Sequence, residues 1–359
     1  MVKTIIVDDS VVYRSQIKAA VQQIPGVEVV GVFSGGNKAL EKMSESAVDL
    51  VILDLEMPEM SGLEVLKNMN SLNLNCKVIV FSAATQRGAE VTFEALRAGA
   101  SDFVAKPSGE SISDHAPDEV VKALLFPKIF GLFPKIEDYT LGQKSKNALS
   151  SKTLFKWSKL NPEVVLIASS TGGPRVLEQI LKQVDHAHKF PIVIVQHMPA
   201  NFTKTFSQSL TKLTGLKVKE VEHNEVLLPN NVYLAPGNYH ITLAKEGNTV
   251  RLLTDQTELV NSVRPAADNL FKSAARIYKE NCLAFVLSGM GQDGKTGAEL
   301  LKAEGAFIVV QEFSSCVVAG MPKAVFASGA YDRIEDPDSI ARLINEKINI
   351  FKSFKEEAS

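Results

Sequence analysis

The sequence predicts an α/β chain in which a doubly wound (βα)5 domain precedes a second doubly wound α/β domain with a mostly parallel sheet. Short runs rich in Val and Ile alternate with amphipathic segments in the first third of the chain, and the alternation resumes at Val164. Buried strands separated by helices form parallel sheets covered on both faces. The 359 residues exceed an ordinary single domain, so two domains is the natural division.

The bulk composition narrows the function classes. Hydrophobic residues make up 45% and charged residues 22%, which describes an ordered globular chain. A formal net charge of -2 argues against a nucleic-acid partner, which selects for a basic excess. Cys76, Cys282 and Cys316 are far apart, and they form neither a metal-type pair nor a disulfide framework. A reducing, cytoplasmic setting is the expectation. The opening MVKTIIVDDS is cut by two aspartates and does not read as a signal peptide. No run approaches the roughly 18 apolar residues of a membrane span, so direct membrane insertion is not expected.

In the first third, residues 4–7, 27–33, 50–53, 77–81 and 102–105 read as strands. Between 10 and 24, Ile17, Ala20, Val21 and Ile24 share one helical face, with Ser10 as N-cap. The character changes between 117 and 162, where FPKI occurs at 126–129 and again at 133–136, followed by a polar stretch at 142–152. This region reads as a linker, helical at its start. The doubled FPKI is either a docking element or chance similarity in a Lys-rich segment. Further strands are expected at 164–168, 192–196, 232–235, 283–287 and 307–310, with helices near 176–184, 203–213 and 298–303. The middle around 215–260 reads as irregular, and 337–359 as one amphipathic helix with a charged end.

Two sets of polar residues fall at strand ends. Asp8 and Asp9 end the first strand, Asp54 the third, Ser82 the fourth and Lys106 the fifth. In a doubly wound sheet these carboxyl ends meet at one edge. Singly, each is an ordinary strand-end residue facing solvent, but the full set in this order suits a phosphoryl site. Three carboxylates call for a hard cation such as Mg²⁺. Asp54 is then the carboxylate nucleophile that accepts the phosphoryl group, with Lys106 and the Ser82 hydroxyl on its oxygens.

With V-D-D-S at 7–10, D-L-E-M-P-E-M-S-G at 54–62, F-S-A at 81–83 and K-P at 106–107, residues 1–122 resemble the receiver domain of two-component response regulators. The resemblance implies Mg²⁺ held by Asp9, Asp54 and the backbone carbonyl of Glu56, with Asp8 assisting. It implies a switch formed by Ser82, Lys106 and the aromatic Phe103, and a cis peptide at Lys106–Pro107.

The second set is Ser170, His197 and Asp293. VVLIASSTGGPRVLEQI reads as strand, tight turn and helix, placing a serine beside free N–H groups that suit an oxyanion or a phosphate. His197 ends the run IVIVQ, and Asp293 lies in the Gly-rich turn after LAFVL. Alone, these read as a helix cap, a surface histidine and a turn residue. Together they supply a nucleophile, a base and its orienting carboxylate.

S-T-G-G-P at 170–174, Q-H-M-P at 196–199, Y-L-A-P-G at 233–237, R-P-A-A-D at 264–268, G-M-G-Q-D-G at 289–294 and S-C-V-V-A-G-M-P at 315–322 resemble the catalytic domain of the chemotaxis protein-glutamate methylesterase family, CheB. The resemblance covers 161–350, with 123–160 as the linker. It implies hydrolysis of glutamate methyl esters on chemoreceptors, releasing methanol, and deamidation of receptor glutamines, with no cofactor needed for the hydrolysis. Ser170 is implied as nucleophile, His197 as base and acid, and Asp293 as orienting carboxylate, with backbone N–H groups at Thr171 and Met290 for the oxyanion. A chemotaxis histidine kinase is the implied phosphodonor, and phosphate on Asp54 is expected to relieve inhibition by the receiver. Arg264 is a candidate either for receptor positioning or for a structural salt bridge.

Many members read G-A-S-T-G-G where this chain reads A-S-S-T-G-G, which leaves open a supporting role for Ser169. Gln292 also stands where asparagine is usual. Rival readings are a DNA-binding output domain, a nucleotide-binding enzyme with S-T-G-G as its phosphate loop, and an inactive esterase serving as a phosphate sink.

Overall fold

The apolar runs of the first third become strands β1 (Val2–Val7), β2 (Val27–Phe33), β3 (Leu50–Asp54), β4 (Lys77–Ser82) and β5 (Asp102–Ala105). They pair in parallel in the order β2-β1-β3-β4-β5. Every residue of β3 is buried, which is why its sequence runs apolar without alternation. Helices α1 (Val11–Gln22), α2 (Gly36–Glu45), α3 (Gly62–Ser71), α4 (Gln86–Arg97) and α5 (Pro117–Leu132) connect and follow the strands. Ser10 caps α1 by accepting from Tyr13 N–H. Helix α1 packs against α5, while α2, α3 and α4 pack in succession.

The structure, a computed structural model, describes residues 1–107, 116–134 and 151–356. The chain divides into two compact units, Met1–Lys135 and Ile136–Ser359. The expected first boundary at 122 falls inside α5. That helix continues because Val121, Leu125, Ile129 and Leu132 are all buried. The first FPKI copy is therefore helical, with Ile129 buried, Phe126 exposed and Lys128 paired to Asp102 at 2.6 Å. The second copy lies only partly within the described residues.

The second unit begins with α6 (Ser151–Lys159), also inside the expected linker. Its central strands are β6 (Val164–Ser169), β7 (Ile192–Gln196), β13 (Cys282–Val286) and β14 (Phe307–Gln311), all wholly buried. With β8 (Val218–Glu220), β10 (Val232–Leu234) and β15 (Arg333–Glu335) they form a parallel sheet ordered β15-β14-β13-β6-β7-β10-β8. Helices α7 (Gly173–Leu181), α8 (Ala200–Thr214) and α12 (Pro337–Glu356) pack through α7. Helices α9 (Ala267–Tyr278), α10 (Lys295–Ala303) and α11 (Gly320–Ser328) pack through α10.

The middle is more regular than its sequence predicts. Within it, β9 (Glu225–Val226), β11 (His240–Glu246) and β12 (Thr249–Asp255) form an antiparallel sheet. Helices α9 and α11 and strand β15 were likewise not anticipated by periodicity.

Helix α6 is tied to the second unit by a buried lysine. Lys347 of α12, 1% exposed, donates to the Trp157 carbonyl and lies 4.1 Å from the Trp157 ring centroid. Burial pushes its ammonium down to about 8. Between that value and the unfolded value near 10.4, the unfolded chain binds more protons, so stability rises with pH. Raising the pH from about 7 to about 10 should stabilise the wild-type second unit relative to Lys347→Met in denaturant unfolding. Parallel pH profiles for the two proteins would contradict the burial argument.

Candidate active site

Sheet order decides which strand ends meet. In the first unit β1 and β3 are adjacent, and the chain leaves them in opposite directions across the sheet. The crevice at such a switch point is the usual ligand site of open α/β sheets. Asp8, Asp9 and Asp54 bring carboxylate oxygens within 4.8 Å of one another there. Asp8 and Asp54 are 0% and 2% exposed. Lys106 bridges them, with Nζ 2.8 Å from Asp54 Oδ2 and 3.0 Å from Asp8 Oδ2. Burial raises the Asp54 carboxyl above its usual range, with Asp8 adding to the rise and Lys106 opposing it. Burial would lower the Lys106 ammonium, but Asp54 and Asp8 outweigh it and hold the proton on.

The expected cis peptide at Lys106–Pro107 is corrected: among the described residues only Arg264–Pro265 is cis. Lys106 is aimed instead by its own N–H, which donates to the Ser82 carbonyl at 2.7 Å, and by its two carboxylate partners. The Ser82 hydroxyl donates to the Gly88 carbonyl of α4 at 3.2 Å. Phe103 is buried, with Lys128 Nζ 5.7 Å from its ring centroid. Glu56 N–H donates to Asp54 Oδ1 at 3.3 Å. Tyr13, which stands in none of the motifs read from the sequence, lines this cleft with its ring 4.7 Å from Lys106 Nζ.

In the second unit Ser170 and His197 directly follow the adjacent strands β6 and β7, and Asp293 lies in the loop that runs from the neighbouring β13 to α10. Ser169 pairs with Gln196 in the parallel ladder, so Ser170 and His197 occupy the next register position on strands about 4.8 Å apart. His197 Nε2 lies 2.8 Å from Asp293 Oδ2. The other oxygen contacts of Asp293 are Ala267 N–H at 2.6 Å, Asp268 N–H at 3.2 Å and the Asn261 amide at 3.0 Å. Burial pushes the Asp293 carboxyl up. The hydrogen bond and charge of His197, then the two backbone donors, outweigh burial and hold it below the usual range. An ionised carboxylate only accepts, so Nε2 is the donor to it, and in a neutral imidazole Nδ1 is then the nitrogen left to accept.

Gly289 passes close to Ser170, where a β-carbon on Gly289 would come within 2.8 Å of Ser170 Cβ. That places the Gly289–Met290 backbone beside the serine. The strand end is held by Gly289 N–H to the Val318 carbonyl and by the Ser288 hydroxyl to the Thr171 carbonyl. The S-C-V-V-A-G-M-P segment thereby acts as a brace for the loop. Ser170 itself lies just before the N-terminus of α7, and its carbonyl accepts from Gly173 N–H at 2.8 Å.

Ser169 is buried and its hydroxyl donates to Gln196 Oε1 at 2.7 Å. Gln196 Nε2 then donates to the carbonyls of Ser170 and His197. Arg264 makes no ion pair among the described residues. Its guanidinium donates to Asn238 Oδ1 and to the carbonyls of Gln256 and Thr257, stapling two loops together. Asn261, Asp268 and Gln196 were assigned no role from sequence. Their work is to hold hydrogen bonds, which leaves no spacing signal.

Asp293, with its lowered pKa, stabilises the fold above the unfolded carboxylate value, and that stability is lost as the pH falls through the folded value. From about pH 6 to about pH 3, wild type should therefore lose more unfolding free energy than Asp293→Asn. Equal losses in denaturant titrations would contradict the assigned charge state.

Comparison with known proteins gives a family for each unit. A family model described as CheB methylesterase matches residues 165–344, and one described as response regulator receiver domain matches residues 4–114. A protein-glutamate methylesterase/protein-glutamine glutaminase of Trichodesmium erythraeum is 39% identical over 348 residues, covering 96% of this chain and 99% of that protein. One from Thermotoga maritima is 36% identical over 341 residues, covering 93% and 95%. The crystal structure of the Thermotoga maritima CheB methylesterase catalytic domain aligns with a TM-score of 0.50 at 38% identity, covering 53% of this chain and 100% of that one. Carrying the esterase domain behind a response-regulator receiver, the chain belongs to the CheB methylesterase family.

Proposed function

We propose that the chain hydrolyses glutamate methyl esters on chemoreceptors, releasing methanol, with Ser170 as nucleophile. The 2.8 Å contact between His197 Nε2 and Asp293 Oδ2 carries the reading, because it leaves Nδ1 as the base on the strand beside Ser170. Nδ1 takes the Ser170 proton as Oγ attacks the ester carbonyl. Backbone N–H groups of Thr171 and Met290 receive the oxyanion. His197 returns the proton to the departing methanol, then activates the water that frees Ser170 and leaves a glutamate. A glutamine side chain is attacked in the same way and releases ammonia.

Asp54 is the proposed phosphate acceptor, with a chemotaxis histidine kinase as donor. The carboxylates of Asp9 and Asp54 and the Glu56 carbonyl would hold Mg²⁺, assisted by Asp8. Three carboxylates whose oxygens lie within 4.8 Å, offset by one lysine, fit a hard oxygen-seeking cation. The ion supplies charge neutralisation around the incoming phosphoryl oxygens. On phosphorylation, Ser82 exchanges its bond to the Gly88 carbonyl for one to the phosphoryl group, and Phe103 repacks with it. That change relieves inhibition of the esterase by the receiver.

Ser170→Ala should abolish methanol release from methylated receptor while leaving the fold intact by circular dichroism. Undiminished release would remove Ser170 from the mechanism. A small-molecule phosphodonor with Mg²⁺ should raise the wild-type rate and leave Asp54→Asn unstimulated. Stimulation of that variant would place the acceptor elsewhere.

A further inference from the structure

Two helices in the second unit exchange their N-terminal caps. Neither α9 nor α10 has a side-chain cap of its own, since their N-cap residues are Ala266 and Gly294. Asp293, just before α10, accepts from the first two N–H groups of α9, those of Ala267 and Asp268. Asp268, in the first turn of α9, accepts from Gly297 N–H in the first turn of α10 at 2.7 Å. Each helix thus starts on the other's carboxylate. The Asn261 amide lies across the pair, donating to Asp268 Oδ2 and to Asp293 Oδ1, both at 3.0 Å.

The arrangement is close-packed. A β-carbon at Gly297 would meet Phe271 Cβ at 2.4 Å, so only glycine lets α10 approach this near. Both carboxylates are 2% exposed. Two buried like charges this close repel unless donors separate and satisfy them. The positive ends of two helices and one shared amide supply those donors.

Resting on the reading of Ser170, His197 and Asp293 as the hydrolytic machinery, we infer that Asp268 and Asn261 are positioning residues that fix Asp293, and through it the His197 ring, by this cap exchange. Asp268 locks the start of α10 directly behind Asp293. Asn261 keeps the Asp293 carboxylate from turning, so that Oδ2 stays on His197. The left-handed backbone at Asn261 (φ 53) sets its amide at this angle, and Arg264 staples the neighbouring loops.

Asp268→Asn preserves shape but offers one oxygen to two donors, Gly297 N–H and the Asn261 amide. Asn261 must then turn away, and Asp293 Oδ1 loses its donor. Asn261→Ala removes the strut from an exposed loop and keeps both caps.

The test is kcat and KM for methanol release from methylated receptor by each variant of the full chain, alone and in an Asp293→Ala background, with melting temperatures. Each single variant should lower kcat about tenfold or more with KM within about twofold, as outer partners of a functional group typically do. In the Asp293→Ala background neither should cause further loss, because both act through Asp293. Single variants with kcat within about twofold of wild type would overturn the inference. So would losses that persist undiminished without Asp293. If Asp268→Asn does not fold, Asn261→Ala decides alone. Failure of the underlying reading looks different, as full activity in Ser170→Ala and Asp293→Ala.

Discussion

One carboxylate, that of Asp293, organises the second unit. It is 2% exposed and still charged, which is tolerable only because four donors converge on it. Those donors come from β7, from the start of α9 and from the loop before it. Satisfying one buried charge therefore fixes the relative placement of several elements. The parallel ladder β13-β6-β7 does the rest, delivering the serine and the histidine to adjacent register positions. A looser arrangement of this strand edge would leave part of that buried charge without donors.

The receiver faces the same problem and resolves it oppositely. Asp54 is as buried as Asp293, but one lysine serves both Asp54 and Asp8, and the third carboxylate, Asp9, stands within ligand distance. Burial leaves the Asp54 carboxyl above its usual range, whereas the donors around Asp293 bring that group below it. An orienting carboxylate must stay ionised and immobile. The proposed phosphate acceptor would instead gain a cation and a phosphoryl group, and one lysine beside three carboxylates leaves charge there to attract a cation.

The sheet strands were legible because both sheets are parallel and buried, which writes continuous runs such as LVILD and IVIVQ into the sequence. The strand-end residues were legible for the same reason, since a polar residue terminating such a run stands out. The hairpin β11–β12 was less visible. It alternates only partly, and its turn, Gly247 with Asn248, sits inside a stretch without a strong apolar run. The extent of α5 was obscured by Pro127, which reads as a helix breaker but is carried within the helix. Asp268 is marked only as the last residue of R-P-A-A-D and Asn261 falls in no motif, because a hydrogen-bond strut has no periodicity. The direction of the His197 ring is set by its contact with Asp293, 96 residues away, which no local pattern records.

The departure at Ala168-Ser169 from the common family pattern also finds a physical account. The Gln196 amide can present its oxygen or its nitrogen to Ser169. Were the oxygen turned the other way, it would face the carbonyls of Ser170 and His197, acceptor against acceptor. The two carbonyls therefore select the orientation in which Nε2 bonds them, and the Ser169 hydroxyl, able to donate or accept, completes it by donating to Oε1. A methyl group at position 169 would leave that oxygen buried without its donor. The extra hydroxyl is therefore not a second nucleophile. It is committed to an amide that ties the backbone of Ser170 to the backbone of His197, which complements from the β6–β7 side the hold that the two helix starts exert on Asp293.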